Sequence, residues 1–331
     1  MFFSFPVFFA LRSTLYSCTR NQTVEDVRDD ASGHVVDKIE AGLQDALKGR
    51  FWAGKGAVLR ATVSLAKLAP GKLAGKIPGL VERFMKECGR GQASAAYARE
   101  SVTQLGELLE ASPEYDGFDK VSGMLQEFIG MSAISTAETA TSAAVPSASP
   151  AIASADRGDE GQSKVGAGSS EEKTDAAMRS RAIECLGSAW PVQALDTQRR
   201  TIGPLVALFS SSITASVWRV RVAIAAAAGK ILSKMSPSVG SLDESSAVVE
   251  LIRVLRVGAD DIKFHQVRNS SVAGALLLCK RAAKDKDVAQ MCQPAKASLR
   301  ALLRLLRDDT DPGTAQKAAL AQLELEKWKS I

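Results

Sequence analysis

The chain has 331 residues, a net charge of +5, 46% hydrophobic residues and only 5% aromatic residues, which allows two domains or one elongated array. Scarce aromatic runs beside abundant alanine, leucine and valine favour an all-α fold, and the charge alone is too small to imply nucleic acid. Five cysteines without a CxxC pair, and only His34 and His265 as histidines, argue against a disulfide framework, a zinc site and Cys/His or Ser/His/Asp catalysis.

In chain order, residues 1–30 form an unassigned segment. Its apolar run, MFFSFPVFFAL, stops at Arg12, short of the ~20 residues needed to span a bilayer. It also lacks the basic start of a signal peptide. Residues 31–130 carry amphipathic helical patterns separated by Gly and Pro. Residues 131–174 are rich in Ser, Ala, Thr and Gly and read as a disordered insert, because they hold too little apolar surface to offset the entropy of ordering. Helical patterns resume over 175–331.

One pattern recurs. Stretches at 51–68, 96–111, 178–190, 216–232, 264–279 and 313–328 each place a basic residue before a stripe of small and apolar side chains. The basic residues are Lys55, Arg99, Arg181, Arg221, Arg268 and Lys317. With the insert set aside they fall about 38–49 residues apart, close to the ~40–47 of HEAT-type helix pairs. First helices are predicted over 73–88, 115–130, 197–212 and 245–257, which puts the insert between the two helices of one pair. The expected fold is an all-α, HEAT-like solenoid.

Residues 216–232, SVWRVRVAIAAAAGKIL, show the logic of a second helix. Val220, Ile224, Ala227 and Ile231 make a buried stripe, while Ala223, Ala226 and Ala228 allow close helix approach. Trp218 is expected in the core with Ile224. The basic residue of each second helix is placed to reach a carboxylate or carbonyl of the next repeat, or else to be a solvated charge. Asp311 and Pro312 predict a helix start, with Asp311 as cap. The carboxylate pairs Asp260–Asp261 and Asp308–Asp309 have no evident catalytic partners.

Residues 251–307 are the most basic region, with twelve Lys/Arg against four Asp/Glu. There Arg300, Arg304 and Arg307 share one helix face opposite Leu299, Leu302, Leu303 and Leu306. That face is a solvated surface or a partner-binding site for an acidic protein surface; nucleic acid and anionic membrane are the other readings of such charge.

The stretches GRFWAGKGAVLRA (49–61), FMKECGR (84–90), ECLGSAWPVQALDTQRR (184–200), SVWRVRVAI and KFHQVRNSSV (263–272) together resemble the C-terminal region of the proteasome adaptor and scaffold family, very long HEAT-repeat proteins associated with the proteasome. The resemblance runs from about Gly49 to Leu277 and covers no more than a C-terminal portion of such a protein. It implies a non-enzymatic scaffold that tethers or stabilises the proteasome's regulatory and core particles and serves assembly quality control, in cytoplasm and nucleus. No catalytic residue, cofactor, metal, small-molecule substrate, nucleic acid or membrane contact is expected on this reading. Another HEAT-type adaptor, such as a transport receptor or phosphatase scaffold, is the first alternative. A basic helical-repeat nucleic-acid binder is the second.

Overall fold

The structure, a computed structural model, describes residues 34–90, 94–130, 170–240 and 245–328. The helices are α1 (His34–Leu47), α2 (Lys55–Leu68), α3 (Ile77–Cys88), α4 (Ala95–Glu110), α5 (Phe118–Ile129), α6 (Ser170–Ala189), α7 (Leu195–Ser212), α8 (Trp218–Lys234), α9 (Ser245–Ala259), α10 (His265–Ala282), α11 (Lys296–Arg307) and α12 (Pro312–Lys327). Short helical turns at Pro70–Leu73, Ala74–Lys76, Pro237–Gly240, Lys286–Met291 and Gln293–Ala295 link successive repeats. Among the described residues there is no β-strand. Most of the expected insert, 131–169, lies outside the described residues, as do residues 1–33. Ser170–Thr174, assigned to the insert by composition, belong to α6.

Local chemistry sets several boundaries. Ser94 accepts from the Tyr97 N–H and starts α4. Asp311 accepts from the Thr314 N–H, with Pro312 at the first helical position of α12 as expected. Gly130, at φ 75°, ends α5 in the left-handed conformation that an L side chain adopts only under strain.

Odd- and even-numbered helices pair, α1 with α2 through α11 with α12, and the pairs stack into a solenoid. Each pair has an apolar interior: Leu80 and Phe84 of α3, Leu105 and Leu108 of α4, and Leu251 and Leu255 of α9 are shut off from solvent. Trp190, just after α6, is buried and meets Phe118 of α5 edge-on, with ring centres 5.8 Å apart.

The even helices α4, α6, α8 and α10 also stack on one another, α6, α8 and α10 almost at backbone contact. A Cβ on Gly187 of α6 would stand 2.6 Å from the Ala227 Cα of α8, and one on Gly229 of α8 would stand 2.3 Å from the Gly274 Cα of α10. A Cβ on Gly106 of α4 would lie 3.4 Å from the Cys185 Cα of α6. In α8 the stripe Val220, Ile224, Ala227 and Ile231 is buried as predicted, with Ala223 and Ala228. Ala226, expected at a close approach, is only half-buried; Ala225 and Gly229 hold the tight positions instead.

Trp218 is a correction. It is half-buried, stacked on Phe264 at 5.7 Å between ring centres with planes 16° apart. It sits in the first turn of α8, at the turn between paired helices, where the buried stripe has not yet begun. Position in the helix, not bulk, decides its exposure.

The joint between α2 and α4 differs from those that follow. A Cβ on Gly56 of α2 would have only side-chain atoms near it, those of Arg60 and Glu100 at 3.8 Å, and no backbone of the facing helix. Exposed ion pairs cross the joint instead, Arg60 to Glu100 at 2.8 Å and Lys67 to Glu107 at 2.7 Å. The odd helices are similarly laced: Lys76 reaches Asp37 of α1, Lys120 of α5 reaches Glu82 of α3, and Arg200 of α7 reaches Asp119 of α5.

Gly229→Ala pushes a methyl into the α10 backbone, so the urea midpoint should fall by the equivalent of about 1–3 kcal/mol. Gly42→Ala in α1 meets nothing within 4 Å and should raise stability by about 0.4–1 kcal/mol. Equal shifts in the two urea melts would contradict a backbone-tight seam between α8 and α10.

Candidate functional site

The recurring basic residues divide into two sets. Arg221 of α8 forms an ion pair with Asp261, in the turn between α9 and α10, at 2.9 Å. The Asp261 side chain is 5% exposed, and its other oxygen accepts from the Lys263 and Phe264 N–H groups at 3.0 and 2.9 Å. One repeat on, Arg268 of α10 donates from Nε and Nη2 to both oxygens of Asp309 at 2.6 and 2.9 Å, and from Nη1 to the Asp261 carbonyl at 2.9 Å. Asn269 donates to Asp311 at 3.2 Å, and Lys317 of α12 donates back to Asn269. The result is a ladder, Arg221–Asp261–Arg268–Asp309, in which each arginine ties its repeat to the next turn. The bidentate Arg268 fork also fixes orientation. The hydrogen bond from Arg268 holds the Asp309 carboxyl below its ordinary pKa of 3.8, against the upward push of burial.

Lys55 bridges by a buried route. Its ammonium is shut off from solvent and donates to the Leu47 carbonyl at 2.7 Å and to Glu87 at 3.1 Å. The second Glu87 oxygen accepts from the Tyr97 hydroxyl at 2.8 Å and pairs with Arg90 at 2.9 Å. Burial lowers the Lys55 pKa below the usual lysine value, and Glu87 opposes that shift. The group ties α2 to α3 and α4. Arg99 and Arg181 bridge to no other repeat among the described residues. Arg99 donates from Nε to Ala95 of its own helix at 3.1 Å, and Arg181 pairs with Glu184 one turn on at 2.8 Å.

The structure places Arg300, Arg304 and Arg307 on the exposed side of α11, with Leu299, Leu302, Leu303 and Leu306 buried against α9 and α12. Arg300 and Arg304 have no hydrogen-bond or ion-pair partner among the described residues and border a cleft of about 280 Å³ with Gln322 and Glu326 of α12. Arg307 approaches Asp308 at 3.5 Å. The wider basic region shrinks on folding. Arg268 is spent in the ladder, Arg281 donates to the Met235 carbonyl at 2.6 Å, and Arg253 pairs with Glu250.

Cys88, Cys185, Cys279 and Cys292 are buried free thiols. Burial pushes Cys185 and Cys292 up to about 12, which suppresses thiolate chemistry. Among the described residues no cluster of three or more metal-ligating side chains occurs, and no helix is long and apolar enough to cross a membrane.

Sequence reasoning did not single out Glu87, Gln198 or Arg219. Gln198 is buried, donating to the Pro191 carbonyl at 2.7 Å and accepting from the Ser236 N–H at 2.9 Å. It stands in the TQR stretch, where only a polar residue among apolar ones marked it.

No protein-family model matches the chain. A search of curated proteins found the proteasome adapter and scaffold protein ECM29 of Homo sapiens, 21% identical over 298 residues. The match takes in 87% of this chain, and the chain spans 15% of that protein's length. Among solved structures, a designed armadillo repeat protein, YIII(Dq)4CqI, is similar over 86% of this chain and 98% of its own, at 12% identity and a TM-score of 0.41. The chain is a helical-repeat protein with distant sequence similarity to a proteasome adapter.

Glu87→Ala leaves a buried ammonium without its carboxylate, so stability measured by urea should drop by about 3–5 kcal/mol. The ladder adds a pH signature. Because Asp309 has a lowered pKa in the fold, its contribution is complete above the ordinary carboxylate value and fades as the pH falls below about 3.8 towards the folded value. Asp309→Asn should therefore lower stability at neutral pH and flatten that acid limb of the stability–pH curve; a parallel curve for the variant would refute the linkage.

Proposed function

We propose that the protein is a non-enzymatic scaffold that binds the proteasome, tethering or stabilising its regulatory and core particles and contributing to assembly quality control, in cytoplasm and nucleus. Support comes first from the distant similarity, along most of this chain, to a protein described as a proteasome adapter and scaffold. The architecture suits the task. A solenoid offers long surfaces without needing a reaction centre.

The observation that carries the docking part of the reading is α11. Four leucines clamp the helix onto α9 and α12, so the opposite face has a fixed direction. On it Arg300 and Arg304 keep guanidinium groups unspent by internal carboxylates. Such forks suit acidic protein surfaces, and charge of this kind governs encounter rate and salt dependence.

The test is co-purification with proteasomes. Wild-type association should weaken as salt rises, since screening shortens the reach of exposed charge. Changing Arg300, Arg304 and Arg307 together to Glu should leave helicity unchanged and reduce proteasome recovery at least several-fold. Wild-type recovery by the triple variant would move docking elsewhere on the solenoid. Loss of association on nuclease treatment would favour the nucleic-acid alternative.

A further inference from the structure

A second surface lies away from α11 and takes no part in the ladder. The starts of α4 and α8 and the middle of α6 frame a groove of about 570 Å³. Apart from Trp218 its apolar lining is small, Ala96, Ala177 and Val222, so three adjacent helices open to solvent together. Each contributes one arginine: Arg99, Arg181 and Arg219.

Among the described residues these three arginines have no inter-repeat partner. Arg99 uses only its Nε, on a carbonyl of its own helix. Arg181 holds an exposed pair with Glu184 within α6, the kind that exchanges at little cost. Arg219 is exposed, its guanidinium 5.2 Å from the Trp218 ring centre. Among the described residues Glu100 is matched by Arg60 and Glu184 by Nη1 of Arg181, so Arg99 and Arg219 are the unmatched charges of the groove and Arg181 keeps its other N–H groups for a ligand.

Trp218 supplies an anchor. Phe264 stacks on the ring, the Arg219 guanidinium lies over it, and the indole lines the groove. Its indole N–H has no partner among the described residues. A braced, half-exposed tryptophan beside arginines is the composition of an interface hot spot.

Spacing selects the ligand's form. Packed helices lie about 8–10 Å apart. Three residues of a polyproline-type strand advance about 9 Å. An extended segment crossing the helices with an acidic side chain at every third residue meets one arginine per helix. A phosphate backbone fits less well, because it carries a charge at every residue whereas the groove offers one arginine per helix.

We infer that the groove across α4, α6 and α8 docks an extended acidic peptide of a partner protein, carboxylates on Arg99, Arg181 and Arg219 and backbone over Trp218. This site is independent of the α11 face and of the proteasome reading.

The probe is a fluorescein-labelled 12-residue peptide with Glu at every third position and Pro and Ala between, titrated against the full chain by anisotropy. Its counterpart carries Lys at the same positions. The Glu peptide should bind and the Lys peptide should not. Changing Arg99, Arg181 and Arg219 to Glu should weaken binding tenfold or more, and Trp218→Ala should weaken it by at least threefold. The Arg300, Arg304 and Arg307 triple variant should bind as the parent does. Circular dichroism checks each fold; if the groove triple variant loses helicity, Arg99→Gln and Arg219→Gln singly decide, each expected to weaken binding at least twofold. Equal affinity for the two peptides, undiminished binding by the groove variants, or tighter binding of a 12-nucleotide single strand at the same residues would overturn the assignment.

Discussion

Everything in this molecule follows from how closely the even helices approach. Gly187 against Ala227 and Gly229 against Gly274 leave no room for one more methyl. That closeness sets how near successive repeats can stand in the central stack. It also accounts for the alanine run in α8. Bulk there would be a wedge, so apolar contact is made by many small groups at short range. Leucine and phenylalanine are kept for the space within each pair, where Phe84, Leu105 and Leu255 fill it.

Packing of small groups specifies registry poorly by itself, and the polar contacts supply what it lacks. The Arg268 fork on Asp309 has one good geometry, and Lys55 meets Glu87 in a site closed to water. A slip of one turn along the seam would keep many methyl contacts but strand a buried ammonium and a near-buried carboxylate. Register is thus enforced by penalty as much as by attraction. The same device frees other cations for outside work. An arginine tied to the next repeat cannot meet a partner, whereas Arg300, Arg304 and Arg219 can.

Much of this organisation was legible in the residues alone. Periodicity located the even helices, because small apolar side chains at helical spacing leave a strong signal and a leading basic residue gives a phase. The α11 leucine face and the Asp311 cap were readable for the same reason: both are local. Contacts between distant positions were not. Arg99, Arg181, Arg221 and Arg268 look alike in the chain, yet only the latter two meet a carboxylate of the following turn, Asp261 and Asp309; the turn that follows Arg181's repeat, residues 213–217, contains no acidic residue, and the one that follows Arg99's lies outside the described residues. Trp218 misled because bulk suggested burial, while its place in the first turn of α8 put it at a rim. The groove beside it needs three helices side by side, a relation no single stretch records.

The joints along the array are unequal in kind. From α6 to α10 the stack is joined by backbone-tight contact, whose energy rises steeply with separation. Between α2 and α4 the crossing contacts include the pairs Arg60–Glu100 and Lys67–Glu107, long side chains about half open to water. Such links stretch and re-form at small cost. What holds this joint is then the buried Lys55–Glu87–Tyr97 contact, so a bending load on the array would fall there on one polar cluster, whereas in the central stack it would be spread along the whole seam.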